Sequence, residues 1–579
     1  MNDGYSSANI TRPPIGWPWR AAIRLLLIPT ALLTLAAGCG GEGKGEIPES
    51  AGWEPNLEGE VLALPLDEVR QAILAHMGSE ERPDEIDERQ WAHLRQLYST
   101  YDDSPLWFDA DGLTDRARTL VHVLADAPNE GIRLSDYPLE ALRDRLATVR
   151  SSRNPSAEDL ARADMALTAT YVALAEDLLT GQVDPRSVAQ GWHIDPRQVD
   201  IDSAVARTLR SDSFDQALDS LRPQETGYEL LRRELARYRE LAEAGGWPTT
   251  PDGPTLHPGD SAPPQRIEPL RRRLAIEGYL SEEEGNAEGG YDATLAGAVA
   301  DFQRHHGIEA DSVAGSQTIA ALNLPASYRA GQIAANMERL RWLPGTLGTR
   351  YILVNVPAFG AIAYQDGEEA LTMKVVVGAE YNDRATPAFS DSMSTVVFRP
   401  YWNVPQKIAR EEIYPKAAAD PEYMERSRYE VVTENGTSRV RQKPGGSNSL
   451  GLVKFLFPND FAIYLHDTPE SSLFQRDVRA ASHGCIRLEH PALLAQWVLG
   501  WDAERVRHAM HDGPDDQEVK VQPKIPVYIV YFTAYERDGT LWFGNDLYGR
   551  DRALVERMME PKDAAERAMA LMEEIGGRV

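Results

Sequence analysis

The chain has 579 residues, with 60 Lys and Arg against 89 Asp and Glu, a formal net charge of −29, and two cysteines. At about 100–200 residues per domain the length calls for about three or four domains, and a hydrophobic content of 42% excludes a wholly disordered chain. The acidic excess argues against an extended nucleic-acid footprint, which needs clustered Lys and Arg; two cysteines make neither a disulfide-stapled scaffold nor a four-cysteine zinc site.

At the N-terminus Arg12, Arg20 and Arg24 precede a charge-free, mostly apolar run from Leu25 to Ala37. That run is shorter than the about 20 residues a bilayer span needs and suits the core of an export signal. It ends Leu35-Ala36-Ala37-Gly38-Cys39, which resembles a bacterial lipoprotein lipobox, with Ala36 where the pattern prefers Leu. The resemblance implies a lipoprotein-type signal peptide over 1–38 and a lipid on Cys39, hence export to the periplasm and a membrane tether. Cleavage by an ordinary signal peptidase and an uncleaved anchor are the alternatives. Residues 39–61, which open Gly40-Gly41-Glu42-Gly43-Lys44-Gly45, read as a flexible tether.

Residues 62–246 read as a helical scaffold. Leu142 and Leu146, then Leu160, Ala163, Met165, Ala166 and Leu167, recur at helical spacing, with breaks at Asp184-Pro185 and Asp195-Pro196. Nothing in this segment gathers the spacing of a nucleophile, base or metal ligand. A Pro-dense linker occupies 247–264. The block 265–325 carries three apolar stripes: Leu270, Leu274 and Leu280; Leu295, Val299 and Phe302; Ile319 and Leu322. Gly278-Tyr279-Leu280, Tyr291-Asp292, Phe302-Gln303, His306-Gly307 and Gly315-x-x-Thr318 resemble the small three-helix peptidoglycan-binding domain. Most of these are core and turn positions, so the likeness speaks for the fold more than for the ligand.

An amphipathic helix from Gln332 to Leu343 leads to a change of character at 346–551. Tyr351–Val356, Lys374–Val377, Thr395–Phe398 and Pro526–Tyr531 are β-rich runs bounded by Gly and Pro, the pattern of a mainly β domain. Residues 406–444 look helical and charged and read as a cap inserted between strands; 552–579 read as one charged terminal helix. The predicted fold class is multidomain α+β: helical scaffold, three-helix block, and a mainly β domain with a helical cap.

The second cysteine stands in Ser482-His483-Gly484-Cys485-Ile486-Arg487. A thiol beside an imidazole is the pattern of an activated nucleophile, because only the thiolate attacks and a His can take its proton. Two bases are available. His466 ends an apolar, strand-like run that offers a rigid platform; His483 sits in the tight turn that holds Cys485 itself. Gly484 lets the backbone approach a substrate carbonyl, and the helical look of the segment after Pro491 points the amides of Gly484 and Cys485 outward as an oxyanion hole. Arg487 offers a partner for a carboxylate. His466, His483 and Cys485 are also three zinc-ligand types, though the first gap is wide for a metal site.

A His followed nineteen residues later by the Cys of Ser-His-Gly-Cys resembles the L,D-transpeptidases, the YkuD-type cysteine enzymes of the bacterial cell wall. Asn336-Met337-Glu338-Arg339-x-Arg341-Trp342-Leu343-Pro344, Val376-Val377-Gly378, Thr386-Pro387, Tyr401-Trp402-Asn403-Val404-Pro405 and His466-Asp467-Thr468-Pro469 are similar to the long murein branch, which also carries a helical scaffold and a peptidoglycan-binding domain. The resemblance implies Cys485 as nucleophile, His466 as proton acceptor and donor, and His483 with Gly484 at the oxyanion site. Ser482 and Arg487 match signature places expected to contact substrate, and the resemblance implies no metal or cofactor; Tyr401, Trp402 and Asn403 read either as lining the donor groove or as ordinary strand-end packing. The reaction implied is 3→3 crosslinking of peptidoglycan stems with loss of terminal D-Ala, and cell-wall synthesis proteins are candidate partners. An L,D-carboxypeptidase, with water capturing the acyl group, and a catalytically silent wall-binding lipoprotein are the alternatives.

Overall fold

The computed structural model describes residues 64–576 apart from 189–190, 380–383, 435–436 and 560; the predicted signal, Cys39 and the whole of the tether lie outside the described residues. The N-terminal helices are built on Ala157–Thr180, whose residues are buried on almost every side. Such a helix serves as the centre of a bundle rather than as a surface. Around it pack Leu66–Gly78, Glu88–Thr100, Asp115–Asp126 and Leu139–Ser151. A small hairpin of β1 (Phe108–Asp109) and β2 (Gly112–Leu113) interrupts them. The buried Asp164 carboxylate accepts the Tyr98 hydroxyl at 2.6 Å and the Trp107 amide at 2.8 Å, so this polar group in the core is satisfied.

The three-helix block has the expected stripes. Pro264–Ile276, Ala293–His305 and Ser316–Leu322 close on Leu270, Leu274, Leu295, Val299, Phe302, Ile319 and Leu322. The Pro-rich stretch before it is laid against the block rather than swinging free: the Thr250 amide donates to Asn323 Oδ1 at 2.8 Å, and Asn323 Nδ2 returns to the Thr250 carbonyl at 2.8 Å.

The β domain is a closed ring. β4 (Arg350–Asn355), β5 (Gly360–Gln365), β6 (Glu368–Gly378), β7 (Ala388–Phe398), β11 (Val453–Leu456), β12 (Leu465–His466), β14 (Ile486–Leu488) and β15 (Gln517–Val530) run in the order β11-β12-β14-β6-β5-β4-β15-β7, and β11 pairs again with β7. Closure leaves no open sheet edge at these strands. β13 (Ala480–Ser482) pairs in parallel with the end of β6. The scaffold adds β3 (Trp192–His193), parallel to the start of β7, a two-residue strand too short to leave a periodicity in the sequence. A small hairpin of β16 (Ala534–Arg537) and β17 (Thr540–Phe543) follows β15.

Two expectations change. The insertion is half sheet: after short helical turns over 406–426 come β9 (Tyr429–Glu434) and β10 (Thr437–Gln442), an antiparallel pair extended by β8 (Trp402–Asn403). The Tyr429-Glu430-Val431-Val432-Thr433 run is rich in aromatic and β-branched residues, a strand signal that the charge of the segment obscured. The terminal helix is two helices, Asp551–Met558 and Lys562–Gly576, separated around Pro561. The second returns Ala568, Leu571, Met572 and Ile575 to the scaffold core. No helix among the described residues is long and apolar enough to cross a membrane.

The helix Ala326–Arg341 ties these parts together. Its Glu338 accepts the Val183 amide at 2.7 Å and pairs with Arg341 at 2.9 Å, both carboxylate and guanidinium being fully buried. Arg341 goes on to the Tyr228 hydroxyl at 2.7 Å and the Glu130 carbonyl. On its other side Asn336 exchanges two 2.9 Å bonds with Thr533, and Arg339 pairs with Asp551 at 2.7 Å. Gly181 is required where Glu338 crosses: its φ is +87°, and a Cβ there would stand 2.5 Å from the carboxylate. Removing one partner of a buried ion pair costs about 3–5 kcal/mol. Glu338→Ala is therefore expected to lower the unfolding free energy read from a urea titration by that order, and a loss below about 1 kcal/mol would show that this helix does not tie scaffold to barrel.

Candidate active site

Two short parallel strands bring the predicted residues together. In the β12–β14 pair, Leu465 lies opposite Ile486 and His466 opposite Arg487, and the Ile486 amide donates to the Tyr464 carbonyl at 3.1 Å. Successive strand residues face opposite sides. Ile463, Leu465, Ile486 and Leu488 are buried in the barrel core. Tyr464, His466, Cys485 and Arg487 thus share the other face. Next along this row, β11 sets Lys454 opposite His466, and β6 sets Val376 opposite Arg487. Leu473 and Phe474 close over Val376, and His466 is buried although it points away from the core.

Around His466 the hydrogen bonding selects a tautomer. Nδ1 lies 2.5 Å from the Asp467 carbonyl. A carbonyl only accepts, so Nδ1 carries the proton and the Nε2 lone pair is left to act as a base. Burial, and next the charge of Arg487, push the imidazole pKa down to about 3 against the opposing Asp467 bond. Burial pushes the Cys485 thiol up to about 11, opposed by the Tyr464 amide and phenol and by Arg487. Near neutral pH both groups are uncharged. The thiol donates to the Ala462 carbonyl over 3.8 Å, and Ala462 holds a left-handed φ of +54°. A cavity of about 410 Å³ opens beside Ala462 and Tyr464, lined also by Thr395, Asn459 and Lys520.

The loop that presents Cys485 is stapled from inside. Ser482 Oγ donates to the Cys485 carbonyl at 2.5 Å and accepts the Gly484 amide at 3.1 Å. Gly484 has φ +112°, a conformation natural to glycine alone. Its carbonyl accepts Thr386 Oγ1 at 2.9 Å, while the same oxygen accepts the Gly378 amide at 3.0 Å. Thr386 is fully buried, so one hydroxyl bridges the end of β6 to the loop.

Several predicted residues stand differently from expectation. Ser482 is buried and spends its hydroxyl on the loop, which corrects its expected place as a substrate contact. The Gly484 amide is engaged by Ser482 rather than turned outward, and β14 separates Cys485 from the helix Pro491–Leu499, so no helix N-terminus supports these amides. Arg487 already pairs with Glu470 at 2.5 Å. Trp402 and Asn403 pair with β10 in the cap sheet, and Arg441 stacks over Tyr401, just before them, at 4.1 Å; none of the three stands in the row carrying Cys485. His483 lies partly exposed, its Nε2 2.6 Å from Glu412. Sequence reasoning missed Tyr464, Thr386 and Glu412. The two-residue spacing from Tyr464 to His466 was the available signal for the first; Thr386-Pro387 stood out as a motif without a role, and nothing local marks Glu412.

Three family profiles match the chain: "Scaffold domain" over residues 92–235, "Putative peptidoglycan binding domain" over 264–322, and "L,D-transpeptidase catalytic domain" over 349–529. A curated protein of Haemophilus influenzae, described as "Putative L,D-transpeptidase", is 34% identical over 243 residues, 38% of this chain and 48% of its own length. The chain thus spans about half the length of that relative. The crystal structure of an L,D-transpeptidase from Xylanimonas cellulosilytica aligns over 48% of this chain and 99% of that one, at 16% identity and a TM-score of 0.16, a likeness that carries no argument.

The two opposed pKa shifts give a testable pH profile. Below a thiol's pKa the thiolate fraction rises about tenfold per pH unit, so alkylation of Cys485 by iodoacetamide is expected to keep climbing beyond pH 9 toward about 11. A plateau below pH 8 would mean a preformed thiolate–imidazolium pair and would contradict the neutral resting state.

Proposed function

We propose, from the premise that residues 349–529 are an L,D-transpeptidase catalytic domain, that the chain forms 3→3 crosslinks in peptidoglycan through a thioester on Cys485. The observation that carries this reading is the β12–β14 register, which puts Tyr464, His466, Cys485 and Arg487 on one face. Cys485 Sγ attacks the carbonyl that precedes the terminal D-Ala of a tetrapeptide stem, and its proton passes to His466 Nε2. As the C–N bond breaks, His466 returns that proton to the departing D-Ala nitrogen, leaving the thioester. The side-chain amine of a diamino acid on a second stem then attacks the thioester carbonyl, gives up a proton through His466, and releases the thiol. Splitting one amide exchange into two acyl transfers is what a thiol contributes.

Other features support the parts. A neutral imidazole with its proton fixed on Nδ1 is ready to accept at Nε2. With both groups neutral at rest, the proton moves as the sulfur attacks. The Arg487 charge opposes the upward push on the thiol and so helps the sulfur give up its proton, while it works against His466 holding that proton, which keeps the transfer to the base brief. The cavity beside Tyr464 adjoins the Ala462 carbonyl that receives the Cys485 thiol, and Arg487 holds a donor carboxylate by exchanging it for Glu470. His483 flanks the carbonyl under attack, and Tyr401, Trp402 and Asn403 line the donor groove where the insertion meets the barrel. Export, with Cys39 lipidated, places this chemistry at the wall, and the three-helix block docks on the glycan or its peptides.

Products decide between acceptors. Incubation of purified tetrapeptide muropeptides with the protein is expected to yield tetrapeptide–tripeptide dimers and free D-Ala by mass spectrometry. Tripeptide alone would make the protein an L,D-carboxypeptidase, and no change in the muropeptides would leave a wall-binding protein without catalysis. His466→Ala is expected to slow the reaction by about 100-fold or more at unchanged fold; wild-type rates would move the base to His483.

A further inference from the structure

The insertion sends one carboxylate to the loop that carries the cysteine. Glu412 Oε1 lies 2.6 Å from His483 Nε2 and 3.0 Å from the Arg384 guanidinium, and Glu411 stands 3.9 Å from the same guanidinium. Glu412 sits in the π-helical turn Ala409–Ile413. Its ends are fixed, because Ala409 and Ile413 are buried with Val404 and Val440 in the insertion's own core. The wider π turn, a form often found at functional sites, carries Glu411 and Glu412 between those two anchors.

Both partners of Glu412 border the nucleophile. His483 is two residues from Cys485, and the Arg384 carbonyl lies 3.6 Å from where a Cβ on Gly484 would stand. Arg384 is also two residues before Thr386, whose hydroxyl holds the Gly484 carbonyl. Because a carboxylate only accepts, His483 must carry a proton on Nε2. Burial works against the charged form of Glu412, yet the His483 bond and the Arg384 charge outweigh it and hold the carboxyl below its usual range. The anchored turn, the two-partner carboxylate and the stapled loop therefore form one connected unit.

We propose that Glu412 is a positioning residue for acyl transfer: by bridging His483 and Arg384 it locks the insertion onto the Gly484–Cys485 loop and fixes the rotamer and tautomer of the His483 imidazole beside the sulfur. This rests on the thioester reading given above. Glu412 itself touches no substrate atom; its effect runs through His483, so the two residues act as a unit. The site is complete only while the insertion is seated. The insertion thereby contributes to acylation itself, beyond walling the groove.

The test uses the full-length protein and a carbapenem, whose β-lactam ring opens onto a nucleophilic thiol. Acylation is followed by intact-protein mass, resolving the maximal rate from the half-saturating concentration. Glu412→Ala and the near-isosteric Glu412→Gln are expected to lower the maximal rate by about 10–100-fold, with half-saturation changed less than about twofold. Glu412→Asp, which keeps the charge, is expected to recover part of the rate. Alkylation by iodoacetamide, which needs no His483, is expected to stay within about twofold of wild type, as a merely unfolded loop would not allow. In a double-mutant cycle, Glu412→Ala on top of His483→Ala is expected to add little. Wild-type acylation rates in Glu412→Gln, or losses that multiply in the double variant, would overturn the positioning role alone. Wild-type protein that takes no acyl group, or Cys485→Ala that still takes one, would overturn the thioester reading and this proposal with it.

Discussion

The pairing of two short strands, Leu465 beside Ile486 and His466 beside Arg487, is the constraint on which the site depends. A strand's side chains alternate, so a slip of one residue in either strand would send His466 or Cys485 into the barrel core and a leucine or isoleucine out. The register is held by what each slip would bury. Leu465 and Ile486 are fully buried in the core, and a charged Arg487 in their place would be desolvated without a partner. The closed barrel keeps both strands from re-pairing, since β11 and β6 occupy their outer sides. A packing rule of the core thus sets the chemistry of the opposite face.

That face is tuned by burial and by one cation. Removing water raises the thiol and lowers the imidazole, which keeps both neutral and makes a free ion pair costly. Arg487 lowers both pKa values, which favours the thiolate but opposes protonation of His466. It is itself steadied by Glu470 at 2.5 Å and Thr468 at 3.4 Å, on the segment that leaves His466. Thr386, Ser482 and the left-handed Gly484 then fix the loop behind Cys485, so that sulfur and base are carried on bonded backbone rather than on free side chains. The scaffold reaches the same neighbourhood: β3 pairs with the start of β7, and His193 meets Phe461 at 4.7 Å, one residue from the carbonyl that receives the thiol.

The parts of this arrangement readable from sequence were the local ones. The helical stripes of the three-helix block, the β-rich runs and the His466-to-Cys485 spacing lie in short windows where periodicity or order carries information, and the multidomain α+β architecture stands in the structure. What was misread or missed depends on distant partners. Ser482 looked like a substrate contact because its place in the motif does not reveal that its hydroxyl turns inward to Cys485 and Gly484. Glu412 is 71 residues from His483, inside a charged segment that read as a cap without marking which carboxylate would reach the cysteine loop. Thr386 is an ordinary Thr-Pro pair until folding puts Gly484 against it. The last helix looked like a charged tail, yet Leu571, Met572 and Ile575 complete a core begun at Val69, about five hundred residues earlier.

The most direct measurement is to trap the covalent intermediate. Full-length protein mixed with a tetrapeptide stem that lacks the acceptor amine, quenched in acid and digested, is read by peptide mass spectrometry. The thioester chemistry proposed for this site predicts a tripeptide acyl group on the peptide that contains Cys485, one D-Ala released per adduct, and no adduct in Cys485→Ala. An acyl group on another residue, or turnover with undiminished yield in Cys485→Ala, would contradict it.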